Sequence, residues 1–285
     1  MAVKTWTNGS LDGDLGNGAN FSPTGALATG DDLFFVKSNN SPVTTGLDQS
    51  AGAGLHLGLI QTERGFTAGI GATGNPLIIT CNRLVHRGEG QLWYKDGTGT
   101  SLQWTREVVI ASPEMSAYAA VLDGAAIERI LLRRGRTLLA GSLQSIARLE
   151  IGHENNPLSD VDCEVASGAK AIGSLVLNGG RQLLTNCAVN MATCRAGLWR
   201  HESGDIGILV NDGSTVVFNP DAAQGEIFRA ILKSGTLDTL QTSRAKTIRR
   251  LLRMPGARLL RDRGLLTVDG VLGGDGEFIG DTEEV

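Results

Sequence analysis

The sequence predicts an all-β chain organised as a solenoid, and three observations carry that expectation. Glycine supplies 39 of 285 residues, about 14 % where ~7 % is usual. Short apolar runs broken by turns recur from Leu33 to the C-terminus, with little helical periodicity. A degenerate repeat runs through the second half. Its units have an apolar run, a turn with glycine or charge, and a second apolar pair. Ile130-Leu131-Leu132, Arg133 to Arg136 and Thr137-Leu138-Leu139 form one unit. Leu175-Val176-Leu177 and Ile208-Leu209-Val210 open two others.

The turn glycines 135, 179, 213, 235 and 256 are spaced by 44, 34, 22 and 21 residues. Three of these intervals are one or two multiples of about 22, which reads as one coil per repeat. The interval of 34 reads as holding an insertion. No coil can bury its apolar face alone; stacking at ~4.8 Å extends sheet and core together. A β-sandwich or jelly roll, also built of short strands and glycine turns, is the rival fold.

The first 32 residues read as a cap or arm. They are rich in turns (Asn8-Gly9, Asp12-Gly13, Asn17-Gly18) and carry apolar anchors at Trp6, Leu11, Leu15, Phe21 and Leu27. Trp6, Phe21, Phe34 and Phe35 are the expected core of this cap, closing the open end of the stack. Residues 33–268 form the body. Leu92-Trp93-Tyr94 and Leu102-Gln103-Trp104 flank Asp96-Gly97, which predicts a hairpin insertion near 88–106. The best helical stretch is Glu114 to Leu122. An acidic segment, 269–285, ends the chain.

Composition narrows function. Hydrophobic residues make up 41 %, which suits a folded chain, and aromatics only 5 %, which suits a thin aliphatic core. The net charge of -4 and pI near 5.6 argue against a nucleic-acid coat. No secretory leader is visible, and no apolar run approaches the ~18 residues of a membrane span, so assembly in a cytoplasm is expected. Cys81, Cys163, Cys187 and Cys194 read as buried thiols, a Cys187–Cys194 bridge being the open alternative.

Catalytic motifs are weak. His56, His86, His153 and His201 lack metal spacing, and His153-Glu154 and His201-Glu202 read as polar turns. Asp31-Asp32 and the alternating Asp160, Asp162 and Glu164 are the carboxylate clusters that glycan cleavage could use. An ordinary solvated strand face explains the second set better. Gly69 to Gly74 spells G-x-G-x-x-G, but Asn75-Pro76 and an apolar run follow where a dinucleotide fold needs a helix. No enzyme activity, cofactor or metal is expected.

Charge is the clearest feature outside the core. Arg244, Lys246, Arg249, Arg250, Arg253, Arg258, Arg261 and Arg263 face a single acid, Asp262, while residues 264–285 hold six acids and no Lys or Arg. A basic stripe beside an acidic tail suggests docking between subunits or onto an acidic surface. Neutralisation within one chain is the equal alternative.

The opening Trp6 … Asp14-Leu15-Gly16-Asn17 … Asn20-Phe21-Ser22-Pro23 … Gly30-Asp31-Asp32-Leu33-Phe34-Phe35 resembles one that recurs in phage virion proteins and in bacterial surface solenoids. It spans about 35 residues. The resemblance implies an N-terminal cap followed by a right-handed parallel β-helix. The lack of a visible leader favours the virion branch, in capsid decoration or in the tail. The resemblance supplies no catalytic residues. The expectation is a structural virion protein that decorates or cements a capsid. Its partners would be itself, as a homo-oligomer such as a trimer, and other virion proteins such as the major capsid protein; it would act without nucleic acid or membrane. A glycan-binding or glycan-cleaving tail protein and a surface adhesin are the alternatives.

Overall fold

A computed structural model describes residues 1–50, 54–97, 104–124, 126–143, 145–156, 159–168, 171–219, 225–240, 244–261, 265–270 and the backbone of 283–284. They are strands and turns, with one short 3-10 turn, Gly18–Asn20, among them. The chain divides into two compact units, Met1–Ser145 and Ile146–Val285. Every described strand pair is parallel except Val3–Trp6 with Phe21–Ser22. A sandwich or jelly roll needs antiparallel neighbours. The chain is therefore a β-solenoid.

In the first unit, one internal column runs Leu33, Ile60, Leu84, Val108, Ile130 through register-paired positions on successive coils. All five are buried. A second column runs Leu77, Tyr94, Leu122, Leu139. The strand Leu92–Asp96 thus lies parallel between Leu77–His86 and Ala120–Gly124. The expected hairpin is not what this strand forms: its parallel partners leave both edges occupied. Leu102 and Gln103 lie outside the described residues. Glu114 to Leu122 is not helical either; its last residues join the strand Ala120–Gly124, where the column needs Leu122 facing inward.

In the second unit the columns are Leu149, Leu175, Ala192, Leu209, Ala230, Leu251 and Cys163, Leu183, Trp199, Val216, Leu237, Leu259. All twelve residues are buried, each large aliphatic side chain contributing about 1.5–3 kcal/mol. Coil length varies. Leu175 pairs with Ala192 and Ala192 with Leu209, a step of 17 residues; Leu209 to Ala230 to Leu251 is a step of 21. The 34-residue glycine interval is therefore two short coils with no insertion. Glycine permits the short turn: a Cβ on Gly197 would lie 3.0 Å from the Gly180 carbonyl oxygen, and Gly197 has φ +93°.

The cap is an aromatic stack. Trp6 meets Phe21 edge-on at 5.7 Å between centroids and Phe35 at 6.2 Å; Phe35 meets Phe66 at 5.6 Å. Trp6, Phe21, Phe35 and Phe66 are buried. Phe34 departs from the expectation. Strand alternation turns it outward on Asp32–Phe35 to a half-buried position, and Leu33 and Phe35 take the inward ones. Leu11 is 85 % exposed at positive φ, so it anchors nothing. Lys4 ties the cap down polarly: its Nζ donates to the carbonyls of Pro23, Thr24 and Gly25 at 3.1–3.3 Å.

Candidate functional site

The groups that chemistry would need are mostly sealed in the core. His201 is fully buried on the strand Leu198–Ser203, not in a polar turn, because its position continues the inward column Thr185, His201, Phe218. His86 is buried as well; His153 does lie in an exposed turn. Burial pushes His86 and His201 down to about 4, against the partial pull of nearby backbone carbonyls. The four cysteines are free and buried. Burial pushes Cys81 up to about 12, Cys187 to about 11, and Cys163 and Cys194 higher still, so thiolate chemistry is suppressed.

The carboxylate clusters divide. On Val161–Val165 the residues Val161, Cys163 and Val165 point inward, leaving Asp162 and Glu164 on the outer face beside exposed Asp160. Asp31 is buried in the cap, accepting the backbone N–H of Ala2 at 2.6 Å and of Ala28 at 3.1 Å. Asp96 is enclosed, its Oδ1 taking the Thr105 hydroxyl at 2.7 Å, and burial raises it above the ordinary carboxylate value.

The basic stripe does not form one surface. Lys246 and Arg253 occupy inward positions and are buried. Their long stems fill core space, and Lys246 Nζ donates to the Thr239 carbonyl. Arg249 is held within the chain: Nε and Nη2 donate to Glu226 at 2.6 and 3.0 Å, and Nη1 to Asp269 at 2.7 Å. Arg244, Arg258 and Arg261 also have contacts of their own. Arg263 lies outside the described residues. Of the described members, Arg250 is the exposed one with no ion pair among the described residues.

Two exposed features stand out among the described residues, and sequence reasoning missed both. The first is a corner of the second unit. Ser174, Met191, Ile208 and Arg229 succeed one another at register-paired positions, and Arg148 precedes them. Met191 is 44 % exposed, Ile208 37 % and Phe228, beside Arg229, 56 %. Gly207 holds the coils close here, since a Cβ would lie 2.4 Å from the Asn190 carbonyl oxygen. Arg229 and Arg250, on adjacent coils next to the paired Ala230 and Leu251, flank the apolar residues. The signal was available: each coil carries two successive outward residues at this turn, as in Asn190-Met191 and Phe228-Arg229.

The second is a groove of about 520 Å³ on the first unit. Val109 and Ala111 form its floor; Arg64, Arg87 and Arg133 supply cations, with Gln61 and Glu63 at one end. It runs across four successive coils, so its arginines are up to 69 positions apart and no local motif marks it.

The parallel stacked coils define a β-solenoid protein. No family model matches the chain, and neither a curated protein nor a solved structure matches it.

Proposed function

We propose that the chain is a structural virion protein, of the kind that decorates or cements a capsid, and that it self-associates through the corner of its second unit. The observation that carries this reading is the exposed set Met191, Ile208 and Phe228 on successive coils, bordered by Arg229 and Arg250. Exposed apolar side chains in contiguous positions mark association surfaces, and Met, Phe and Arg are enriched at the centres of interfaces. A second copy is the occupant, because the chain is net acidic and so offers carboxylates to Arg229 and Arg250. The opening segment's likeness to phage virion proteins supports a particle as the setting, with the major capsid protein as the further partner.

The test is light scattering across a range of protein concentrations, on wild type and on Phe228→Asp with Ile208→Asp. Wild type is expected to form a defined oligomer and the double variant a folded monomer. An oligomer unchanged by the double variant, or a wild type monomeric at every concentration, would overturn the reading.

A further inference from the structure

We infer that the groove of the first unit is a binding site for an acidic polysaccharide bearing carboxylates on its sugar rings. This site lies on the first unit and is independent of the assembly surface, which belongs to the second.

The groove is a product of coil register. Gln61 pairs with Val85, and Val85 with Val109; Gln61 and Val109 line the groove, and Val85 between them is buried. Beyond them the next outward positions are Glu63, Arg87 and Ala111, of which Ala111 is too short to fill its place. Above it the register slips: Ile110 pairs with Leu132, but Ala111 pairs with Arg134. Arg133 is thus the extra residue of a bulge, and a bulge re-aims a side chain. The result is a low apolar floor, Val109 and Ala111, between Arg87 on the coil before and Arg133 on the coil after.

The lining chemistry selects the ligand. Guanidinium groups match carboxylates bidentately. Arg64 and Arg87 are exposed and make no ion pair among the described residues, in contrast to Arg83 and Arg129, which both hold Glu107 at 2.8 and 3.4 Å. Gln61 and the second carboxylate oxygen of Glu63, whose Oε2 accepts the Lys37 N–H at 2.9 Å, offer hydrogen bonds to hydroxyls. The floor offers apolar contact to the C–H faces of sugar rings. Among the described residues the lining has no aromatic on which bases could stack, which counts against single-stranded nucleic acid. A chain with both carboxylates and hydroxyls meets Arg64 and Arg87 together with Gln61 and Glu63. It would lie along the stacking direction, meeting one coil every ~4.8 Å.

The experiment is titration calorimetry of the full chain with tetragalacturonate, with neutral maltotetraose and with a short single-stranded DNA. Wild type is expected to bind the uronate and not the neutral sugar, with affinity falling as salt rises. Arg64→Ala and Arg87→Ala are each expected to weaken it about tenfold, the scale of one charge-assisted hydrogen-bonded contact. Arg181→Ala, at an exposed position of the other unit, is expected to leave it unchanged. Circular dichroism confirms that each variant is folded. No uronate binding, equal binding of maltotetraose, stronger binding of DNA, or full affinity in both arginine variants would each overturn the proposal.

Discussion

Thr185 and His201 occupy paired positions on adjacent coils, and Thr185 Oγ1 lies 2.8 Å from His201 Nδ1 inside the core. The roles are fixed by the surroundings. His201 Nε2 donates to the Gly204 carbonyl at 2.8 Å, so Nδ1 accepts from the Thr185 hydroxyl, which itself accepts from Trp199 Nε1 at 2.8 Å. The same cross-coil pairing recurs in the first unit, between Thr62 and His86 and between Thr80 and His56, each at 2.9 Å. Threonine thus satisfies one ring nitrogen of a histidine inside the core.

This arrangement makes stability depend on pH. His86 and His201 have folded values of about 4, below the ordinary 6.5. Between those values the unfolded chain takes up protons that the folded chain refuses. Stability is therefore full above about pH 6.5 and falls as pH drops toward 4. The total loss is several kcal/mol when both histidines contribute, since a tenfold change in proton affinity is worth ~1.4 kcal/mol. Urea midpoints are expected to drop between pH 7 and pH 5, and His86→Gln or His201→Gln should flatten that slope even while lowering stability at pH 7. Midpoints equal at both pH values in wild type would refute the buried neutral histidines.

The cap gives a contrast between neighbours in sequence and non-neighbours in space. Phe21 contacts Trp6 and is buried, so Phe21→Ala is expected to cost about 3–5 kcal/mol. Phe34 is half-buried on the outer face, and Phe34→Ala should cost clearly less. Chemical denaturation of the two variants decides it; similar losses would mean that Phe34 shares the cap core.

How much of this is legible in the sequence depends on which interactions are local. Turn glycines and apolar runs record coil periodicity, so the solenoid is readable. The step of 17 at Leu175, Ala192 and Leu209 is hidden, because the glycines that mark its ends span two coils and resemble one coil with an insertion. His201 reads as a turn residue because Glu202, Ser203 and Gly204 follow it; its inward placement depends on Thr185 and Phe218, 16 and 17 positions away. Arg253 and Lys246 read as surface charge because length and charge are visible in sequence, whereas the parity of a strand position is set by its neighbours across coils. The groove at Arg87 and Arg133 needs a bulge, which no local pattern announces.

Binding at that groove is not expected to lead to cleavage. Glycoside hydrolysis works through a pair of carboxyl groups flanking the bond, and Glu63 is the one carboxylate of the lining among the described residues. Asp160 and Asp162 belong to the outer face of the second unit. Incubation with polygalacturonate should release no shorter chains on a sizing column. Release that is abolished by Arg87→Ala or Glu63→Gln would make the chain an enzyme.

Two kinds of arginine stand side by side in the basic stripe. Arg250 and Arg253 are three residues apart. Arg250 stands exposed at the corner, whereas Arg253 ends the strand Leu251–Arg253 at an inward position and is 3 % exposed. Arg250→Glu reverses a solvated charge, so folding stability should change by less than about 0.5 kcal/mol. In the proposed assembly its effect falls on association, which is expected to weaken with salt in wild type more than in the variant. Arg253→Glu places a carboxylate where a guanidinium is enclosed and engaged, and such a buried charge without its partners costs about 3–5 kcal/mol. Thermal melts joined to light scattering read both effects on the same samples. Arg250→Glu should melt like wild type and associate less; Arg253→Glu should melt early at every concentration. If instead Arg253→Glu melts like wild type and only loses association, Arg253 belongs to the surface, and the parity assigned to its strand is wrong.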